Sequence, residues 1–142
     1  MQILFIDQNK WIDLARAASG KPEGDAYVDI YRALSAAVDA KQVLLPLTIS
    51  HIIETAKRND PESRLALARV QAKLSKGSVY RSRKARLLVE MRNSLHAIFS
   101  EPSVELPENW AIVRGFMQAF EPFDTLTATP DQAWRSKLIN QF

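Results

Sequence analysis

Two carboxylates stand where this chain could do chemistry. Asp7 follows the apolar run Ile3-Leu4-Phe5-Ile6, with Asn9, Trp11 and Asp13 just beyond it. Glu54 follows a second apolar run, Val43-Leu44-Leu45, in a comparable position. Open α/β proteins place their chemistry past the ends of buried strands, at the mouths of helices. Two or more carboxylates without histidine or cysteine suit a hard divalent cation such as Mg2+ or Mn2+. Such an ion polarises a phosphodiester and lowers the pKa of an attacking water. Each residue also has a plainer reading. Asp is among the best helix N-caps. Glu54 can pair with Lys57 or Arg58 on a solvent face.

A block of cations is the second feature. Residues 57–92 hold 11 basic and 3 acidic side chains, between acidic stretches of net −2 (residues 1–56) and net −3 (residues 93–142). The density peaks at Arg81-Ser82-Arg83-Lys84-Ala85-Arg86, with Tyr80 as a ring on which a base could stack. Arg58, Arg69, Lys73, Lys76 and Arg92 extend the set. Such a block is a polyanion footprint or a solvated helix face. The accompanying carboxylates tip the reading toward nucleic acid, through sequence-blind, salt-sensitive phosphate contacts.

Composition narrows the classes. A chain of 142 residues is expected to form one domain, residues 1–142. It can bury roughly two-thirds of the surface it exposes unfolded. No cysteine is present, so disulfides, zinc-thiolate sites and thiol nucleophiles are excluded. No apolar run approaches the ~20 residues that span a bilayer, and the N-terminus lacks the basic stretch and apolar core of a signal peptide. The expectation is a cytoplasmic protein with no membrane partner. None of the four glycines lies in a phosphate-loop pattern, and no Ser-His-Asp order carries a recognisable motif. His51 and His96 are read as surface or half-buried residues.

The positioning elements follow from pattern. Gln2 to Ile6 reads as a strand buried on both faces. A helix follows from Gln8 to Ala18, with Trp11, Leu14, Ala15 and Ala18 inward. Another spans Asp25 to Ala40, with Tyr27, Ile30, Tyr31, Leu34 and Val38 inward. Gln42 to Leu45 is the second strand, closed by Pro46. Thr48 opens a helix to about Arg58, with Ile49, Ile52, Ile53 and Ala56 on its stripe. This order makes a right-handed crossover with both strand ends at one edge. Asp60-Pro61-Glu62 starts a helix that runs to Ser75 and stops at Gly77. After a loop, a helix over 83–99 points Leu87, Leu88, Met91, Leu95 and Ile98 inward. A short extended piece is expected at 104–106 and a helix at 108–120 carrying Trp110, Val113, Phe116, Met117 and Phe120. Thr129-Pro130-Asp131-Gln132 starts a last short helix. The fold class is α/β, a small parallel sheet flanked by many helices, with only two good strands to make it.

The stretches 3–12 and 44–54 resemble the opening of PIN-domain nucleases: an apolar strand, an Asp, then Ser, Thr or Asn and an apolar helix, followed by a strand, a polar break and a helix bearing a Glu. The resemblance covers about the first 60 residues. It implies a Mg2+- or Mn2+-dependent ribonuclease fold in which Asp7 and Glu54 are metal ligands and Asn9 holds a water or Asp7 from behind. PIN domains usually supply a third acidic residue from a later strand–helix unit. Asp124 after Phe123 is the best candidate here; Glu90 lies in a basic helix and Asp131 at a helix start. The later parallel strands are not evident, so the chain reads as PIN-like and incomplete on its C-terminal side.

Three expectations result. The first is an endoribonuclease that hydrolyses RNA with a metal-activated water, holding the strand with Arg58, Arg81, Arg83, Lys84 and Arg86. The second is a non-catalytic PIN-like module that binds RNA or protein. The third is a helical interaction domain in which Asp7 is only a cap. An antitoxin, or a second copy of the chain, could complete an unfinished acidic site.

Overall fold

Two short parallel strands and the helices between them set the frame. In the computed structural model of the chain, which describes residues 1–102 and 105–120, β1 (Gln2–Ile3) pairs in parallel with β2 (Val43–Leu44), Gln2 opposite Val43 and Ile3 opposite Leu44. Between them run α1 (Gln8–Ala18), a 3-10 segment (Pro22–Tyr27) and α2 (Val28–Asp39). The β–α–α–β crossover expected from sequence is therefore present. The strands are shorter than expected. Pairing beyond Ile3 ends with the Leu4 N–H on the Leu44 carbonyl at 2.8 Å.

β1 is not buried on both faces. It is the edge strand, and Ile3, Leu4 and Phe5 are all exposed. A continuous apolar run looks the same in sequence whether or not a neighbour covers it.

The small sheet gains a part that sequence did not supply. Pro46 interrupts β2, yet Leu47 resumes pairing, in parallel with Val79 of β3 (Ser78–Tyr80). The Leu47 N–H donates to the Ser78 carbonyl at 3.0 Å, and the Tyr80 N–H to the Leu47 carbonyl at 2.8 Å. β4 (Ile112–Arg114) then pairs antiparallel with β3, Val79 opposite Val113. Two two-stranded ladders are thus joined through one residue.

β4 replaces part of the helix expected over 108–120. Apolar residues at helical spacing suggested that helix, but three local features oppose it. Asn109 has φ 60°, Gly115 has φ 105°, and the β-branched pair Ile112-Val113 fits a ladder better than a helix. After Gly115 the chain makes only a 3-10 turn, Phe116–Ala119, whose Ala119 enters the core. Of the extended piece expected at 104–106, residue 104 lies outside the described residues, as do the last helix and Asp124.

α3 (Ile49–Ala56) and α4 (Pro61–Ser75) complete the packed body. α4 starts as read: the Asp60 carboxylate accepts the Ser63 N–H at 2.9 Å, and the helix ends on Lys76 and Gly77, both at positive φ. Trp11, Leu14, Leu45, Leu47, Leu67, Leu74 and Val79 form the core. The 3-10 segment seats against α1 through Gly24, where a β-carbon would overlap the backbone of Arg16 and Ala17. Only glycine permits that approach.

α3 and α5 (Arg83–Ile98) correct two expected faces. On α3 the buried residues are His51 and Thr55, whereas Ile53 and Ala56 are exposed. On α5 no residue is buried; Leu87, Leu88, Met91, Leu95 and Ile98 all face outward. Their spacing fixes one apolar side of a helix but not what covers it. No described helix is long and apolar enough to cross a membrane.

Candidate functional site

Asp7 is the N-cap of α1. Its Oδ2 accepts the Asn9 backbone N–H at 3.1 Å, and the carboxylate stays exposed. The plain reading of Asp7 as a cap is therefore correct as local structure. A cap that uses one oxygen on one N–H leaves other lone pairs for a ligand. Asn9 supports Asp7, but through its backbone and not through its amide. Glu54 is exposed on α3, one residue before the buried Thr55.

The link between these two positions lies in the residues behind them. Gln8 follows Asp7, Thr55 follows Glu54, and the Gln8 Nε2 donates to the Thr55 Oγ1 at 3.2 Å. The Thr55 hydroxyl donates to the Gln71 Oε1 at 2.9 Å, and the Gln71 Nε2 returns to the Gln8 Oε1 at 3.3 Å. Each member gives one hydrogen bond and takes one, so the three buried side chains close a ring across α1, α3 and α4. Satisfied networks of this kind fix a packing arrangement. This one ties the start of α1 to the last turn of α3. Sequence reasoning missed all three residues. Gln8 and Thr55 lie beside the acids, but no spacing rule pairs a glutamine with a threonine 47 positions away.

His51 sits between the carboxylates and the core. Only 4% of it is exposed, against the surface or half-buried position expected. It occupies the third position of α3 in a reciprocal cap: the Thr48 N–H donates to His51 Nδ1 at 3.1 Å, and the His51 N–H donates to Thr48 Oγ1 at 3.4 Å. Acceptance at Nδ1 places the neutral ring's proton on Nε2. The ring stacks on Phe5 at 5.5 Å and meets the Trp11 edge at 6.3 Å. Burial depresses its pKa below the ordinary histidine value, opposed in part by the negative charges of Glu54 and Asp7 and by the Ile6 backbone. Both acids therefore act on one imidazole.

A pH dependence follows. The folded pKa is lower than the unfolded one, so the unfolded chain takes up a proton first as pH falls. Stability from neutral His51 is present above about pH 6.5 and is lost as pH falls from there toward the depressed folded value. Urea midpoints of wild type are expected to fall between pH 7.5 and 5.5 more steeply than those of His51→Gln. Equal slopes would refute the assignment.

The basic set does not gather in one place. Arg58 is spent on Ser63, with Nε and Nη2 3.3 and 3.0 Å from its hydroxyl, and it lines a cavity of about 240 Å3 beside Arg16 and Asp60. Lys73 donates to the Tyr31 hydroxyl at 3.0 Å and Lys76 to Asp39 at 2.7 Å. Arg81, Arg83 and Arg86 instead line a separate cavity of about 300 Å3 with Phe5, Thr48 and Tyr80. Lys84 lies in the first turn of α5 beside them. Among the described residues, no group of three or more Asp, Glu or His side chains is arranged to hold a metal ion. Two exposed oxygen donors still suit Mg2+ in the mode in which it keeps its waters and takes one or two carboxylates plus substrate phosphates.

Comparisons with protein-family models, with curated proteins and with solved structures give no match to this chain.

Proposed function

We propose that the chain is a PIN-type ribonuclease that hydrolyses RNA phosphodiester bonds with Mg2+ or Mn2+. The observation that carries this reading is the Gln8–Thr55 hydrogen bond. It couples the residues next to Asp7 and Glu54 at the crossover of two parallel strands. Asp7 and Glu54 would hold the ion, and when bound it supplies charge neutralisation at the phosphate and a more acidic water. The chain's own residues do the rest. The Asn9 backbone N–H fixes the Asp7 carboxylate, which with Glu54 would hold the cation. The Arg81–Arg86 stretch binds the strand beside them. His51 keeps its Nδ1 occupied and lies under Phe5, so it acts as a support and is not the general base.

The test is cleavage of labelled single-stranded RNA with Mn2+. Asp7→Asn and Glu54→Gln are each expected to lose at least about 100-fold in rate, about 3 kcal/mol of transition-state stabilisation. Circular dichroism should show both folded. Equal cleavage by all three proteins would assign the activity to another site or a contaminant.

One observation favours a second reading. α5 exposes an apolar row from Leu87 to Ile98, as a protein-binding module would. On that reading an absent third acid makes the site non-catalytic, and RNA binding survives in all three proteins without cleavage.

A further inference from the structure

The cavity beside β3 has a composition that asks for an anion. Nine of the described residues line it, including Arg81, Arg83 and Arg86, and among these described residues there is no Asp or Glu. Among the described residues none of these arginines forms an ion pair. Some cations elsewhere are matched: Lys10 and Arg16 with Asp13, Arg32 with Asp29, Lys76 with Asp39. The Arg81 Nε donates to the Trp110 carbonyl at 2.8 Å, which fixes its guanidinium. The Arg86 Nε is buried and has no hydrogen-bond partner among the described residues. A buried donor left unpaired is destabilising, and a bound acceptor would remove that cost. The space is also the amino end of α5, whose dipole adds to the positive potential. Its volume, about 300 Å3, is at the small end of ligand sites and suits one phosphate with part of a nucleoside.

Two rings stand at the rim. Phe5 lies flat on His51 with one face and remains 59% exposed; Tyr80 closes β3 on the other side. Such rings hold unpaired bases by stacking. Phe5 is two residues from Asp7, and Thr48 on the opposite wall caps the helix that carries Glu54.

We propose that this cavity is a phosphate subsite for single-stranded nucleic acid: Arg81, Arg83 and Arg86 take one phosphate, and Phe5 stacks the attached base. The proposal rests on the nucleic-acid part of the functional reading but not on its metal chemistry. The strand would be anchored one step from the carboxylates. Guanidinium forks match phosphate oxygens in pairs, and lysine does not reproduce them.

The experiment uses the full chain in EDTA, so that metal plays no part. A labelled single-stranded oligoribonucleotide reports affinity by anisotropy, with adenosine monophosphate and inorganic phosphate as separate probes. Arg83→Ala is exposed and leaves the core alone. It is expected to weaken strand binding about tenfold at 0.1 M salt and to reduce the salt slope by about one. Arg86→Lys, which keeps the charge and loses the fork, should also weaken it. Phe5→Leu should weaken the nucleoside monophosphate and leave inorganic phosphate unchanged. Arg32→Ala, on α2, is the control. Adenosine monophosphate should also shift the Arg86 Nε–H resonance. Wild type that binds the strand in EDTA but does not cleave it with Mn2+ would overturn the nuclease reading and leave this one standing. The proposal is overturned if Arg83→Ala loses no more than Arg32→Ala. It is overturned equally if inorganic phosphate binds and the strand does not, which would make the cavity a free-phosphate site.

Discussion

Replacing Thr55 with valine is expected to cost about 2–4 kcal/mol of folding free energy, although the two side chains have nearly the same shape. Valine creates no cavity. It strands the Gln8 Nε2 and the Gln71 Oε1, both of which now bond to the threonine hydroxyl. Each orphaned buried group costs about 1–3 kcal/mol. Thr55→Ser keeps the hydroxyl and should lose only about 1 kcal/mol for the missing methyl. Urea unfolding at neutral pH gives the comparison, with the m-value unchanged if only stability has moved. Valine as stable as threonine would mean that the ring contributes nothing net. Because Thr55 follows Glu54, the proposed ribonuclease activity should also fall in the valine protein by more than its folded fraction explains.

The second large effect is at Trp11. It is 1% exposed and touches the core on one side and the His51 ring on the other. Trp11→Ala is expected to cost about 3–5 kcal/mol, a large share of the total for a domain that holds about 5–15. The Trp11 Nε1 is buried without a hydrogen-bond partner among the described residues. Trp11→Phe should therefore cost much less than alanine, since it removes that unpaired donor along with the second ring. The same substitutions reach the site. Water admitted at the lost indole edge should raise the His51 pKa toward its ordinary value, most in the alanine protein, as an NMR titration of the imidazole would show. A His51 pKa that does not move would remove Trp11 from the cause of its depression.

The crossover from β1 to β2, the cap at Asp7, the start of α4 at Asp60 and its stop at Gly77 were all legible in the sequence. Each rests on local rules: a capping residue, a proline at the first turn, an apolar run. What was not legible depends on partners distant in the chain. The pairing of Leu47 with Val79 crosses a proline that reads as a strand end. The row on α5 reads as core and lies outside, because periodicity defines a face without naming its cover. Helical spacing over 108–120 lost to Asn109, Gly115 and the ladder with β3. Of the site, the acids were visible as single residues, but their connection was not. It runs through uncharged neighbours. The basic stretch was visible as a charge count, and only packing divided it between Arg58 on Ser63 and the arginines around the cavity.

The Gln8–Thr55–Gln71 ring has a sense of rotation. As it stands, amide gives to hydroxyl, hydroxyl to amide, and amide to amide. A half-turned ring would set donor against donor, so the opposite sense is reached only if both amides and the hydroxyl turn together. The start of α1 and the last turn of α3 therefore have no independent small adjustments at this contact; they move as a unit with α4 or not at all. α4 carries neither Asp7 nor Glu54, yet a change at Gln71 is felt next to both. Gln71→Glu would make the point directly: a carboxylate there can still accept from Thr55, but it can no longer donate to Gln8, and the ring opens at a known bond.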